Sequence, residues 1–171
     1  MSSLIHFAKM SKYPNDLSDN AVADKEMTGR KDQNKTFSFK LKSSTDQITK
    51  TVQKFDDLLD ALTCCTSRDK SELSTALSEA LANAIVHGNK TQSDKFVNLQ
   101  IQVLSDKVEI QVEDEGEGFD PNKIENPLKP KNLKKTNGRG IYLMTLFMDK
   151  VTFNKNEKGM KVTLTKYLQK T

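Results

Sequence analysis

Phe96-Val97-Asn98-Leu99-Gln100-Ile101-Gln102-Val103-Leu104-Ser105-Asp106-Lys107-Val108-Glu109-Ile110-Gln111-Val112-Glu113-Asp114 alternates apolar and polar residues twice, on either side of the polar pair Ser105-Asp106. A period of two sets Val97, Leu99, Ile101 and Val103 on one face of a strand, and Val108, Ile110 and Val112 on the same face of the next. Such a pair, joined by a short polar turn, reads as an antiparallel hairpin. Its apolar face must be covered by another layer.

Upstream, Phe37-Ser38-Phe39-Lys40-Leu41 alternates in the same way and opens the ordered region. Ser44 and Gln47 have the spacing of a capping box, followed by Ile48, Val52, Phe55, Leu59 and Leu62 at helical intervals. A second helix is expected from about Arg68 to Val86, with Leu73, Leu77, Ala80, Leu81, Ala84 and Ile85 inward, and with Gly88 and Asn89 ending it. Downstream, residues 120–137 hold Pro121, Pro127, Pro130 and five lysines without a period, the composition of a long functional loop. A short helix over Gly140–Asp149 follows, and Val151–Phe153 and Lys161–Leu164 form a last hairpin turning near Asn156 to Gly159. The order β-α-α-β-β-α-β-β predicts an α+β fold, a two-layer sandwich whose mostly antiparallel or mixed sheet carries its helices on one face.

Residues 1–35 hold six Lys/Arg, five Asp/Glu and few large apolar side chains, so a flexible tail is expected there, with one domain over 36–171. No apolar run approaches the ~20 residues of a membrane helix, and the N-terminus lacks a secretory apolar stretch, which makes the cytoplasm the expected location. A net charge of +4, mixed in sign along the chain, gives no basic stripe for nucleic acid. Cys64 and Cys65 are adjacent, which suits neither a structural staple nor metal-ligand spacing.

Three short stretches carry chemistry. Glu79 and Asn83 lie four apart on the second helix and point within about 40° of each other; taken alone, the pair reads first as a surface Glu with a capping or solvated Asn. Asp114 continues the inward face of Val112, so its carboxylate points to the core side and requires donors there. No nearby side chain offers a positive partner by strand geometry, and a ligand's exocyclic amine would serve. Glu115-Gly116-Glu117-Gly118 then adds two glycines suited to a close backbone approach, or to a simple turn. Asn137-Gly138-Arg139-Gly140-Ile141 stands where a helix begins, and exposed amides at a helix N-terminus suit a phosphate, although a hinge would read the same. Neither a Walker A loop nor a Rossmann fingerprint occurs in the chain.

In order and spacing these stretches resemble the three nucleotide boxes of the GHKL (Bergerat-fold, histidine-kinase-like) ATPase superfamily. Glu79-Ala80-Leu81-Ala82-Asn83-Ala84-Ile85-Val86-His87-Gly88-Asn89 is similar to the N box, Asp114 to Pro121 to the G1 box, and Asn137 to Ile141 to the G2 box. The E-A-x-x-N-A-x-x-H-G form, the Gly118-Phe119-Asp120-Pro121 run and Met148-Asp149-Lys150-Val151 resemble the anti-sigma serine/threonine kinase branch. A sensor kinase would present a phosphoacceptor His on an upstream helical hairpin, whereas the upstream histidine here, His6, sits in the tail.

The resemblance implies ATP and Mg²⁺ as cofactors. It gives Asp114 the adenine amino group, with Gly116 and Gly118 passing close to the base, and Asn83 the magnesium. Gly138, Arg139 and Gly140 would cradle the phosphates under a lid drawn from 120–137, and Glu79 would be the general base toward a partner's Ser or Thr. It further implies a sigma factor or similar regulator and a STAS-domain anti-anti-sigma protein as partners, and a homodimer. One position departs: several kinases of the branch carry Arg two residues before the first G2 glycine, and here Thr136 stands there, leaving Lys134 or Lys135 to supply the charge. A non-catalytic, nucleotide-dependent binding switch is the alternative that Thr136 raises.

Overall fold

The computed structural model describes residues 34–118 and 139–168. Strands β1 (Lys35–Lys42), β2 (Phe96–Val103), β3 (Lys107–Glu113), β4 (Lys150–Lys155) and β5 (Met160–Tyr167) form one sheet in the order β1-β2-β3-β5-β4. All four pairings are antiparallel. Helices α1 (Asp46–Leu62), α2 (Ser67–Ala82) and α3 (Arg139–Phe147) complete the described fold, an α+β arrangement as the sequence order implies.

The alternation read from the sequence is the register of the sheet. Phe39, Leu99, Val112, Val162 and Phe153 stand in one cross-strand row, and Phe37, Ile101, Ile110, Leu164 and Val151 in the next. This face joins Phe55, Leu59, Leu73, Leu77, Leu81, Ile85 and Met144 of the helices in a single core. The other face carries the row Lys40, Asn98, Glu113, Lys161 and Asn154. A one-residue slip would exchange the two faces, so the register follows from burial.

Helix α1 starts differently from its expected capping box. Its N-cap is Thr45, already in the right-handed helical region and without a side-chain cap bond, while the Ser44 hydroxyl donates to the Asp46 carboxylate. Gln47 is buried, and its Oε1 has no partner among the described residues. The capping box belongs to α2: the Asp69 amide donates to Thr66 Oγ1 at 3.1 Å, and the Thr66 amide to Asp69 Oδ2 at 3.1 Å. Cys64 and Cys65, free and half-buried, lie in the connection between α1 and α2.

Three further boundaries differ. β1 begins two residues before Phe37, and α3 ends at Phe147, two residues before Asp149. The expected second helix stops being α-helical at Ala82 and continues as a π-helical turn, Asn83–Gly88. The final turn is as expected: Asn156 Oδ1 accepts the amides of Lys158 and Gly159 at 2.8 and 3.0 Å. The tail expected over 1–35, apart from its last two residues, and the loop expected over 120–137 lie outside the described residues.

Candidate nucleotide site

Glu79 stands on the last turns of α2, half-buried, where α3 begins. A Cβ added to Gly140 would run into its carboxylate, so glycine lets the first turn of α3 close onto Glu79. The carboxylate makes no hydrogen bond or ion pair with the described residues, although it faces a helix N-terminus, where negative charge is favoured. It is thus positioned, and without a partner among the described residues. Asn83, one turn on, is half-buried, and its Nδ2 is a buried donor without a partner in the described chain.

At Asn83 the helix widens. The Asn89 amide reaches back to the Ala84 carbonyl and the Thr91 amide to the Ile85 carbonyl, each at 2.8 Å. Single π-turns of this kind recur at functional sites because the inserted residue re-aims the side chains that follow. Here it carries Gly88 and Asn89 against the end of the sheet. A Cβ at Gly88 would lie 2.5 Å from both Cγ and Oδ2 of Asp114, and one at Gly116 would meet the Gly88 carbonyl. The carboxylate therefore sits where helix end, strand end and turn touch backbone to backbone.

Asp114 is only 5% exposed. Its donors are main-chain groups: the amides of Gly116 at 2.8 Å and Met160 at 3.3 Å both donate to Oδ1. The sequence reading looks for donors among side chains and a ligand's amine; backbone amides serve where side chains do not. Oδ2 receives no hydrogen bond from the described residues and is left to accept one. Burial pushes the carboxyl above its ordinary range, against those two amides and the positive field of Lys95. The Asp114 amide also donates to the Met160 carbonyl at 3.0 Å, so the residue continues the β3–β5 ladder by one step.

Among the sequence-derived site residues, Glu79 and Asn83 meet the start of α3 at Gly140, and Asp114 and Gly116 meet the far end of the same α2–π helix. Gly118, at φ +69°, lies beside Lys155 and Met160, and Arg139 is exposed at the start of α3. Lys134, Lys135, Thr136 and Gly138 lie outside the described residues. The N box read from the sequence includes Gly88 and Asn89 but gives neither a role at the site, because Gly-Asn after a helix is an ordinary stop signal. It also missed Met160, whose backbone role leaves no mark in residue type.

The histidine kinase-like ATPase domain family matches residues 41–166, nearly all of the described fold. The chain belongs to that family. Relatives of this ATPase domain include the serine-protein kinase RsbW of Bacillus subtilis, 36% identical over 103 residues, which are 57% of this chain and 64% of that protein. The serine-protein kinase RsbW of Staphylococcus aureus is 31% identical over 109 residues, 60% of this chain and 68% of the relative. They place the domain in the serine-protein kinase branch. The chain thus spans about two thirds of the length of these relatives. Its fold is that of the crystal structure of the RsbU and RsbW domains of a Mycobacterium tuberculosis protein: TM-score 0.60 at 16% identity, covering 80% of this chain and 33% of that one.

Proposed function

We propose that this ATPase domain is a protein serine/threonine kinase that uses ATP with Mg²⁺ to phosphorylate a STAS-type antagonist. It also holds a sigma factor or similar regulator, acting as a cytoplasmic homodimer. The observation that carries the reading is the carboxylate of Glu79 at the first turn of α3, unpartnered among the described residues. It lies one helical turn from Asn83, on the same helix whose far end meets Asp114.

Asp114 Oδ2 accepts from the adenine amino group, and the opening of α3, with Arg139 and Gly140, faces the phosphates through its amides and positive dipole end. The Asn83 amide suits magnesium: a half-turn about its last torsion exchanges the orphaned nitrogen for an oxygen, a hard donor. When bound, the ion neutralises charge developing on the transferred phosphoryl group. Glu79 takes the proton from the partner's Ser or Thr hydroxyl as that oxygen bonds to the γ-phosphorus, and the bond from phosphorus to the departing ADP oxygen breaks.

The test is transfer from γ-labelled ATP into a lysate of the source organism. A small protein should be labelled on Ser or Thr, and Glu79→Ala should lower the rate by about 100- to 10,000-fold, the usual worth of a general base. Nucleotide affinity should survive that change. Undiminished transfer by Glu79→Ala would remove it as the base. Nucleotide binding without any labelled product would instead favour a nucleotide-dependent switch, the reading that Thr136 supports.

A further inference from the structure

The hairpin ladder between β2 and β3 stops one step early. Its pairs run Val103↔Val108, Ile101↔Ile110 and Leu99↔Val112 to Asn98↔Glu113, so continued pairing would set Phe96 opposite Glu115. Two antiparallel residues in that position would bond backbone to backbone. They do not. The side-chain amide of Asn89 stands between them: its Nδ2 donates to the Phe96 carbonyl at 2.8 Å, and its Oδ1 accepts from the Glu115 amide at 2.8 Å. The Phe96 amide, released from the ladder, donates to Glu115 Oε2 at 3.1 Å.

We infer that Asn89 is a spacer that prises β2 from β3 and thereby positions Asp114 for base recognition, making it a determinant of adenine specificity. The three residues close a ring: Asn89 to Phe96, Phe96 to Glu115, Glu115 back to Asn89. A side-chain amide carries one donor and one acceptor group in the same plane as a peptide, so it fills the opened gap and pairs both the Phe96 carbonyl and the Glu115 amide. Asn89 is fully buried, and its two partners, Phe96 and Glu115, are half-buried. Each member adjoins a part of the site. Asn89 follows Gly88, whose Cα faces the Asp114 carboxylate, and Glu115 follows Asp114 itself. The π-turn ends on the same residue, so the widened helix and the split ladder are two sides of one junction.

This role rests on Asp114 reading adenine, and the experiment separates the two. Dissociation constants for ATP and for GTP are measured with the whole chain, alongside melting temperatures, for Asp114→Asn, Asn89→Ala, Glu115→Ala and Glu115→Gln. Losing a buried hydrogen-bond pair of this kind costs about tenfold or more in the equilibrium that depends on it. Asn89→Ala and Glu115→Ala should therefore lower the preference for ATP over GTP by roughly that factor, with GTP affinity little changed. Glu115→Gln, whose amide oxygen still accepts from Phe96, should keep the wild-type preference. Equal weakening of both nucleotides, or an unchanged ratio, overturns the positioning role; if Asn89→Ala does not fold, the two Glu115 variants decide alone. Asp114→Asn leaving the ratio untouched would instead defeat the adenine reading itself.

Discussion

The two ends of the α2–π helix hold the two carboxylates of the site in opposite ways. Asp114 is fixed by backbone: two amides on one oxygen, a glycine Cα against the other side, and the Asn89 ring one residue away. Glu79 touches a glycine too, but no hydrogen bond from the described chain restrains its carboxylate. A group that recognises a rigid base gains from being held before the ligand arrives. One that must accept a proton and give it up again gains from being held loosely by charge and position.

That contrast is sharpest in a matched pair of glycine changes. Gly88→Ala drives a methyl into a carboxylate that cannot swing aside, and overpacking of this sort costs about 1–3 kcal/mol. The expected result is a lower denaturation midpoint together with weakened ATP binding. Gly140→Ala meets only the flexible end of Glu79, so the midpoint should hold while the transfer rate falls by about tenfold, the worth of roughly 1.4 kcal/mol. Similar loss of stability from both substitutions would mean that the two ends are equally stiff.

A second separation comes from pH. The Asp114 carboxyl is raised above its ordinary 3.8 by burial, so as pH falls it protonates before an exposed aspartate would. In the role proposed for Asp114, protonation removes the charge that accepts from the adenine amine, and ATP affinity should fall with a midpoint above 3.8, a component absent from Asp114→Asn. For stability the sign is the reverse. The folded chain binds this proton more tightly than the unfolded one, so Asp114 contributes most below the unfolded value and that contribution is lost as pH rises through the folded one. Titrating both affinity and unfolding should give opposite slopes from this one group; slopes of the same sign in the difference between wild type and Asp114→Asn would refute it.

The smallest effect lies away from both carboxylates. Thr66→Ala removes the capping box at the start of α2 and should cost about 1 kcal/mol of stability. The ATP dissociation constant should stay as it is, since the far end of the helix is held by the sheet. A change in affinity larger than the change in stability would show that strain at the helix start reaches the site.

Much of this was legible in the chain. Alternation named the inward residues of β1, β2 and β3, and helical spacing named Phe55 and Leu59 of α1 and Leu73, Leu77, Ala80 and Leu81 of α2, but not Gln47 and Thr51, which are also buried. The three boxes offered Glu79, Asn83, Asp114 and Gly140 as candidates. The capping box was misplaced because Ser44 and Gln47 have the right letters, but Asp46 takes the serine hydroxyl and Thr45 is already helical. The π-turn was invisible for a similar reason: Asn83–Gly88 continues the helical period of the residues before it, and only the sheet it runs into shows that one residue is looped out.

The sequence by itself determined most of the residues that face inward, the order of the elements and the polar groups that the three boxes carry, because those depend on periodicities of two to four residues and on side-chain type. The tertiary structure alone decided that β5 lies between β3 and β4, that Met160 and Gly116 satisfy Asp114 through their backbones, and that Asn89 splits a ladder 26 positions downstream of itself. Those bonds use main-chain groups that every residue but proline carries, so nothing in the letters marks them. Only closing the chain into a sheet brings them together.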